Sequence, residues 1–135
     1  MSKRVVVTGM GVITPIGNDV KSFWNGLVSG KNGIGQITKF DTADYKVKIA
    51  AEVKDFHPAD YMEKPMIHKT DLFCQYALAA ASQAMEDSGI GGKIAPERLG
   101  VYVGSGIGGI STFVEECTKL NTKGPRRVSP FFIPK

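Results

Sequence analysis

Gly104-Ser105-Gly106-Ile107-Gly108-Gly109 follows the pattern G-x-G-x-x-G. Between a strand and a helix, such glycines let backbone approach a phosphate while the helix start supplies N–H donors. A dinucleotide site also needs a second strand and an acidic residue roughly 20 positions on. Here the chain turns basic and proline-rich, with no acidic residue after Glu116. The alternative is a turn where strand, helix and a neighbour crowd together. The only thiols, Cys74 and Cys117, fall on apolar helix faces. Neither position offers the electropositive or helix-N-terminal setting of a nucleophile, so both are expected to be inert core thiols. His57 and His68 have no partners at metal-ligand spacing, and no metal site is expected. Ser105 lacks the G-x-S-x-G elbow and an evident His or Asp partner. Two basic clusters remain: Lys64, His68 and Lys69, then Lys119, Lys123, Arg126 and Arg127. They are either solvated surface or a docking face for an acidic protein, whose attraction would fade with salt. Neither is dense or interleaved with aromatics as a nucleic-acid face would be, so no nucleic-acid partner is expected.

The elements that must position these residues read as α/β. Val5-Val6-Val7-Thr8 is a β-branched run of the kind buried on both faces of a parallel sheet. Gly9, Gly11 and Gly17 punctuate the loop after it. Asn18 or Asp19 can cap the next helix. There Val20, Phe23, Trp24, Leu27 and Val28 make one apolar face, and Gly30 is a natural stop. Between Lys31 and Ile67 only Ile49 to Val53 suggests a strand, because Gly33, Gly35, Pro58 and Pro65 break longer elements. Thr70 can cap a long helix with Asp71 in its first turn. That helix is apolar nearly all round, as if buried in something larger, and ends at Asp87-Ser88-Gly89. Leu99 to Val103 reads as a second buried strand. Ile110, Phe113, Val114 and Cys117 repeat at helical spacing, and Thr122 to Pro134 reads as a loop.

The 135 residues predict one domain. A hydrophobic share of 42% and a charged share of 22% exclude a rod, a collagen-like chain and a disordered tail. The net charge of +4 permits an acidic partner without demanding one. No stretch reaches the roughly 18 apolar residues of a membrane span. No signal-peptide core follows the basic Met1-Ser2-Lys3-Arg4, and two cysteines make no disulfide framework. A reducing cytoplasm, with no membrane partner, is therefore expected. The apolar close Phe131-Phe132-Ile133-Pro134 before Lys135 is unusual for a finished domain.

Taken together, the motifs carry a resemblance. Val5 to Gly17, Phe40-Asp41-Thr42, Lys69-Thr70-Asp71, Gln83 to Gly89, Gly104 to Gly109 and Gly124 to Pro134 stand in one order. This order resembles that of the β-ketoacyl-acyl-carrier-protein synthases from Lys3 to Pro134. The Gly-Ser-Gly-Ile-Gly-Gly and Pro-Phe-Phe forms are most similar to the synthase II branch.

The resemblance implies a thiolase-like fold, layered αβαβα in a full enzyme of on the order of 400 residues. Residues 1–135 would form only part of its N-terminal half. It implies a decarboxylative Claisen condensation in fatty-acid elongation, with no cofactor, in a cytoplasmic homodimer served by acyl- and malonyl-loaded carrier protein. A Cys would hold the acyl chain as a thioester, and two His residues and an oxyanion hole would assist. The family places that Cys and His pair beyond this chain, and neither Cys74 nor Cys117 matches the nucleophile motif. The chain alone is thus expected to be inactive, with no catalytic residue of its own. Ile107 matches a residue at the floor of the acyl pocket. Phe132 matches an aromatic that reaches across the dimer interface toward the partner's acyl pocket. Lys64, Lys69, Arg126 and Arg127 match the faces that dock the acidic carrier protein. Pro65 and His68 stand where relatives often carry Lys or Arg, which weakens the first face. The alternative reading is a non-catalytic carrier-protein-binding module of the same family.

Overall fold

Asp19 sets the first helix. Its backbone is extended, at φ −151 and ψ 164, and its carboxylate accepts a hydrogen bond from Ser22 N at 2.8 Å. Ser22 Oγ in turn accepts from Asp19 N at 3.3 Å, which closes a capping box. Helix α1 runs over Val20–Val28, and Gly30 leaves it at φ +68, as the sequence predicts. Of the two candidate caps, Asp19 does the work. These details come from a computed structural model that describes residues 3–133; Met1, Ser2, Pro134 and Lys135, named in the sequence reading, lie outside the described residues.

The remaining elements are strands β1 (Ile34–Gln36) and β2 (Ile49–Ala51), then helices α2 (Lys64–Lys69), α3 (Leu72–Ser88) and α4 (Ile110–Lys123). Single 3-10 turns occupy Pro58–Asp60, Pro96–Arg98 and Pro125–Arg127. The described residues form two compact units. One comprises the residues up to His57 with Ala80–Gly91, the other Pro58–Ala79 with the residues from Gly92 on.

In the first unit, the loop after Thr8 lies against the second half of α3. A Cβ on Gly11 would strike the Ala80 carbonyl, and one on Gly9 the Ala84 carbonyl and Ser88. Only glycine permits this approach. Met10 N donates to Asp87 Oδ2 at 2.9 Å and Val12 N to Gln83 Oε1 at 2.9 Å. Gln83 Nε2 donates to the Asn18 carbonyl at 2.7 Å, and Asn18 Nδ2 to the Lys54 carbonyl at 2.8 Å. Strands β1 and β2 pair antiparallel, with Gly35 opposite Ala50. β2 falls within the run Ile49 to Val53; β1 is not legible, because Gly33 and Gly35 interrupt its pattern. Beyond the ladder, Thr38 Oγ1 donates to Glu52 at 2.7 Å and holds that carboxyl below the usual carboxylate range.

In the second unit, Ala79 is fully buried and Gln75 is 7% exposed. Gln75 Nε2 donates to the carbonyls of Ile67 and Thr70 at 3.1 and 3.0 Å, which ties α2 to the start of α3. The residue before α3 is Asp71, whose carbonyl accepts from Gln75 N at 3.1 Å. The cap therefore falls one position later than Thr70, whose hydroxyl instead donates to the Met66 carbonyl at 2.7 Å. α3 ends at Ser88, before Gly89 at φ +58, as the sequence predicts. α4 continues through Lys123, two residues into the segment read as loop.

Two expected strands need correction. Val5 to Thr8 and Leu99 to Val103 form no strand, and Val5 and Tyr102 are 91% and 99% exposed. β-branched residues favour extended backbone, yet a strand exists only when another pairs with it. Among the described residues, the sole sheet is the β1–β2 pair, and it is antiparallel. The apolar face of α1 is open at Trp24, Leu27 and Val28; its buried residue is Gly26, which seats against Ile16. On α3, Leu78 and Met85 are exposed within this chain.

The capping box yields a test. The Ser22 amide holds the Asp19 carboxyl below its ordinary value of 3.8. A depressed carboxylate stabilises the fold above the unfolded value, and this contribution fades as pH falls through the folded one. Asp19→Ala should cost about 1 kcal/mol at neutral pH. In paired thermal melts, the gap to the wild-type protein should close as the pH drops below 3.8.

Candidate functional site

The residues matched to carrier-protein docking and to the acyl pocket all lie in the second unit. Helix α2 begins at Lys64, with Pro65 in its first turn, and ends at Lys69. Lys69 Nζ sits 5.8 Å from the centroid of the Phe131 ring, within cation–π range. Phe131 lies four residues past Arg127, so the two basic segments meet through this contact. Lys64, Lys69, Arg126 and Arg127 are all exposed, as a docking face requires.

A buried carboxylate fixes the second basic segment. Glu116 on α4 is 4% exposed. It accepts Ser129 N at 2.7 Å and Lys119 Nζ at 2.6 Å. The bond to Glu116 raises the Lys119 ammonium above the ordinary lysine value. α4 ends at Gly124 with φ +80, a backbone region that favours glycine. The turn Pro125–Arg127 follows directly. Lys119, Lys123 and Arg127 line an open depression of about 670 Å³. The sequence reading noted Glu116 only as the last acidic residue. Its i,i+3 spacing to Lys119 was the one available signal; its bond to Ser129 arises from the fold.

Phe132 is half-buried, and its ring lies 5.7 Å from that of Phe113 on α4, tilted by 39°. Ile107 projects from the loop before α4 and is 76% exposed. Around it, glycine has distinct reasons. A Cβ on Gly108 would lie 2.6 Å from ring atoms of Phe73, and Gly109 begins α4 at φ +64. Gly108 thus marks the crowded turn weighed above against a phosphate cradle. Cys74 and Cys117 are half-buried thiols with no disulfide between them. Among the described residues, no group of three or more His, Cys, Asp or Glu could hold a metal ion.

Comparison with known proteins decides the family. The profile described as "Beta-ketoacyl synthase, N-terminal domain" matches residues 2–135. The chain belongs to the beta-ketoacyl synthase family. A 3-oxoacyl-[acyl-carrier-protein] synthase 2 of Staphylococcus aureus is 48% identical over 134 residues, covering 98% of this chain and 32% of that protein. A protein of the same name from Coxiella burnetii is 49% identical over 134 residues, with the same coverage. This beta-ketoacyl synthase chain therefore spans about a third of the length of the curated relatives it matches. Among solved structures, the ishigamide ketosynthase/chain length factor superposes with a TM-score of 0.76 at 31% identity, covering 94% of this chain and 32% of that one. A type II PKS acyl-carrier protein in complex with its ketosynthase bound to the hexaketide gives 0.77 at 30% identity, covering 97% and 35%. The fold class is thus the thiolase-like α/β class of ketosynthases.

Glu116→Ala removes the acceptor of a half-buried amide and the partner of Lys119. The loss should be roughly 1–3 kcal/mol, the cost of an unsatisfied donor. Amide hydrogen exchange should show it first at Ser129 and in the Pro125–Arg127 turn, while the β1–β2 pair is unchanged.

Proposed function

We propose that the full-length protein containing this chain is a 3-oxoacyl-acyl-carrier-protein synthase of type 2. The observation that carries this reading is the 48% identity to proteins of that name along nearly the whole chain. In the reaction, an acyl group rests on a Cys as a thioester. Malonyl on carrier protein loses its carboxylate as carbon dioxide, and the electron pair left on carbon attacks the thioester carbonyl. The new C–C bond forms, the C–S bond breaks, and the Cys leaves as thiolate. That Cys and its His pair belong to sequence beyond this chain, and residues 1–135 alone are inactive.

The roles of this chain's residues follow. Lys64, Lys69, Arg126 and Arg127 attract the acidic carrier protein. The exposure of all four and the Lys69–Phe131 contact support this assignment. One structural relative is itself a ketosynthase held by its acyl-carrier protein, which agrees with such a partner. Ile107 limits acyl length from the pocket floor. Phe132 lies at a homodimer interface, beside Phe113 of its own chain. The protein works in the cytoplasm, as the family resemblance implies. A second reading, a carrier-protein-binding module without catalysis, shares the docking face. It is favoured by the lack of a nucleophile motif at Cys74 and Cys117. Turnover of malonyl-loaded carrier protein by the full-length protein separates the two readings.

Two measurements test the assignments. Reversing charge at Arg126 and Arg127 together should weaken carrier-protein binding roughly tenfold at low salt. The difference should narrow towards about 1 M salt, where screening leaves little long-range attraction. Binding by the double variant equal to wild type at low salt would remove the docking role. Ile107→Phe should shorten the longest acyl chain accepted, because added volume clashes in a packed pocket. Unchanged product lengths would remove the pocket role.

A further inference from the structure

The Lys69-Thr70-Asp71 motif contains a residue that the proposed reaction leaves without a task. Asp71 Oδ1 accepts from Leu72 N, the first amide of α3, at 2.6 Å. Asp71 Oδ2 accepts from Thr112 Oγ1, in the first turn of α4, also at 2.6 Å. Both residues are half-buried. One carboxylate thus serves two helix starts, where the positive end of the helix dipole favours negative charge. α4 needs the tie, because Gly109 at its N-terminus has no side chain to cap it.

Between these anchors runs a second contact. Phe73 follows Asp71 by two residues, and its ring fills the space a Cβ on Gly108 would need. Ile107 is the residue before Gly108. Its own side chain is exposed, so the loop's place depends on Gly108 after it and on α4 behind. A hydrogen bond to a charged group contributes more than a neutral one and fixes geometry more tightly.

We propose that Asp71 and Thr112, with Phe73, are positioning residues for Ile107 and thereby set acyl-chain selectivity. The proposal rests on the condensing-enzyme reading above. The carboxylate draws the start of α4 to the start of α3. Gly108 then seats on the Phe73 ring, and Ile107 is held at one depth. Loss of the tie lets the loop move, and the limit on chain length relaxes.

The test uses the full-length protein and the ratio of kcat/KM for a long against a short acyl-carrier-protein substrate. Thr112→Val keeps shape and removes the donor; it should change the ratio about tenfold, the scale of a hydrogen bond to a charged group. Thr112→Ser keeps the hydroxyl and should hold the ratio near wild type. Amide exchange at residues 104–109 should rise in the valine variant and not in the serine variant. Should Thr112→Val fail to fold, Phe73→Leu removes the seat of Gly108 and should move the ratio and the exchange in the same way. An unchanged ratio in a folded Thr112→Val or Phe73→Leu protein overturns the proposal. So does a serine variant that behaves like the valine one. If Ile107→Phe shifts product length while these variants do not, only the positioning role falls. If the wild-type protein forms no 3-oxoacyl product, the condensing-enzyme reading falls and takes this one with it.

Discussion

A backbone amide taken from water needs an acceptor, and this chain has little sheet to provide one. Its helices provide acceptors through side chains instead. Asp87 takes Met10 N, Gln83 takes Val12 N, Asp71 takes Leu72 N and Glu116 takes Ser129 N. Each bond fixes a segment that local propensity leaves undecided. Two hold the glycine loop against the second half of α3, and glycine is required there because the backbones nearly touch. The others fix the start of α3 and the segment after Arg127. With one small apolar side chain fully buried among the described residues, these polar ties carry much of the chain's order.

On the proposed function, the same ties give this chain a part in docking and pocket shape without the nucleophile. Docking needs charges that stay exposed yet keep fixed spacing. Glu116 anchors Ser129 from the buried side of α4, and Arg126 and Arg127 just before Ser129 are exposed. Lys69 meets the same segment over Phe131. A pocket wall needs a side chain presented from backbone that does not drift. On the proposed positioning role, the Gly108–Phe73 contact and the Asp71–Thr112 bond meet that need at Ile107. On that proposal, charge for the partner comes from α2 and the segment after α4, and shape for the acyl chain from the starts of α3 and α4.

How much of this was legible depended on the range of the cause. Asp19 and Gly30 bracket α1 through contacts within a few residues, so its limits could be read directly. The end of α3 at Ser88 and Gly89 was legible for the same reason. The cap of α3 was misplaced by one position because Thr70 and Asp71 are both good caps; Thr70 is drawn back to Met66 by the end of α2. Val5 to Thr8 and Leu99 to Val103 have strand composition, but pairing comes from distant sequence that composition does not encode. The roles of Asp71 and Glu116 were hidden because their partners lie 41 and 13 residues away. The residues proposed for docking and the pocket were reached through ordered family motifs, not through local chemistry, since none is unusual by itself.

The central claim is that this chain positions and docks while a Cys outside it carries the acyl group. Trapping the acyl-enzyme of the full-length protein and locating the modified residue by peptide mass spectrometry tests it most directly. The account predicts the acyl group on a Cys beyond residue 135, with Cys74 and Cys117 unmodified and replaceable by serine without loss of condensation. Acylation of Cys74 or Cys117, or loss of acyl-enzyme when either is replaced, would contradict it.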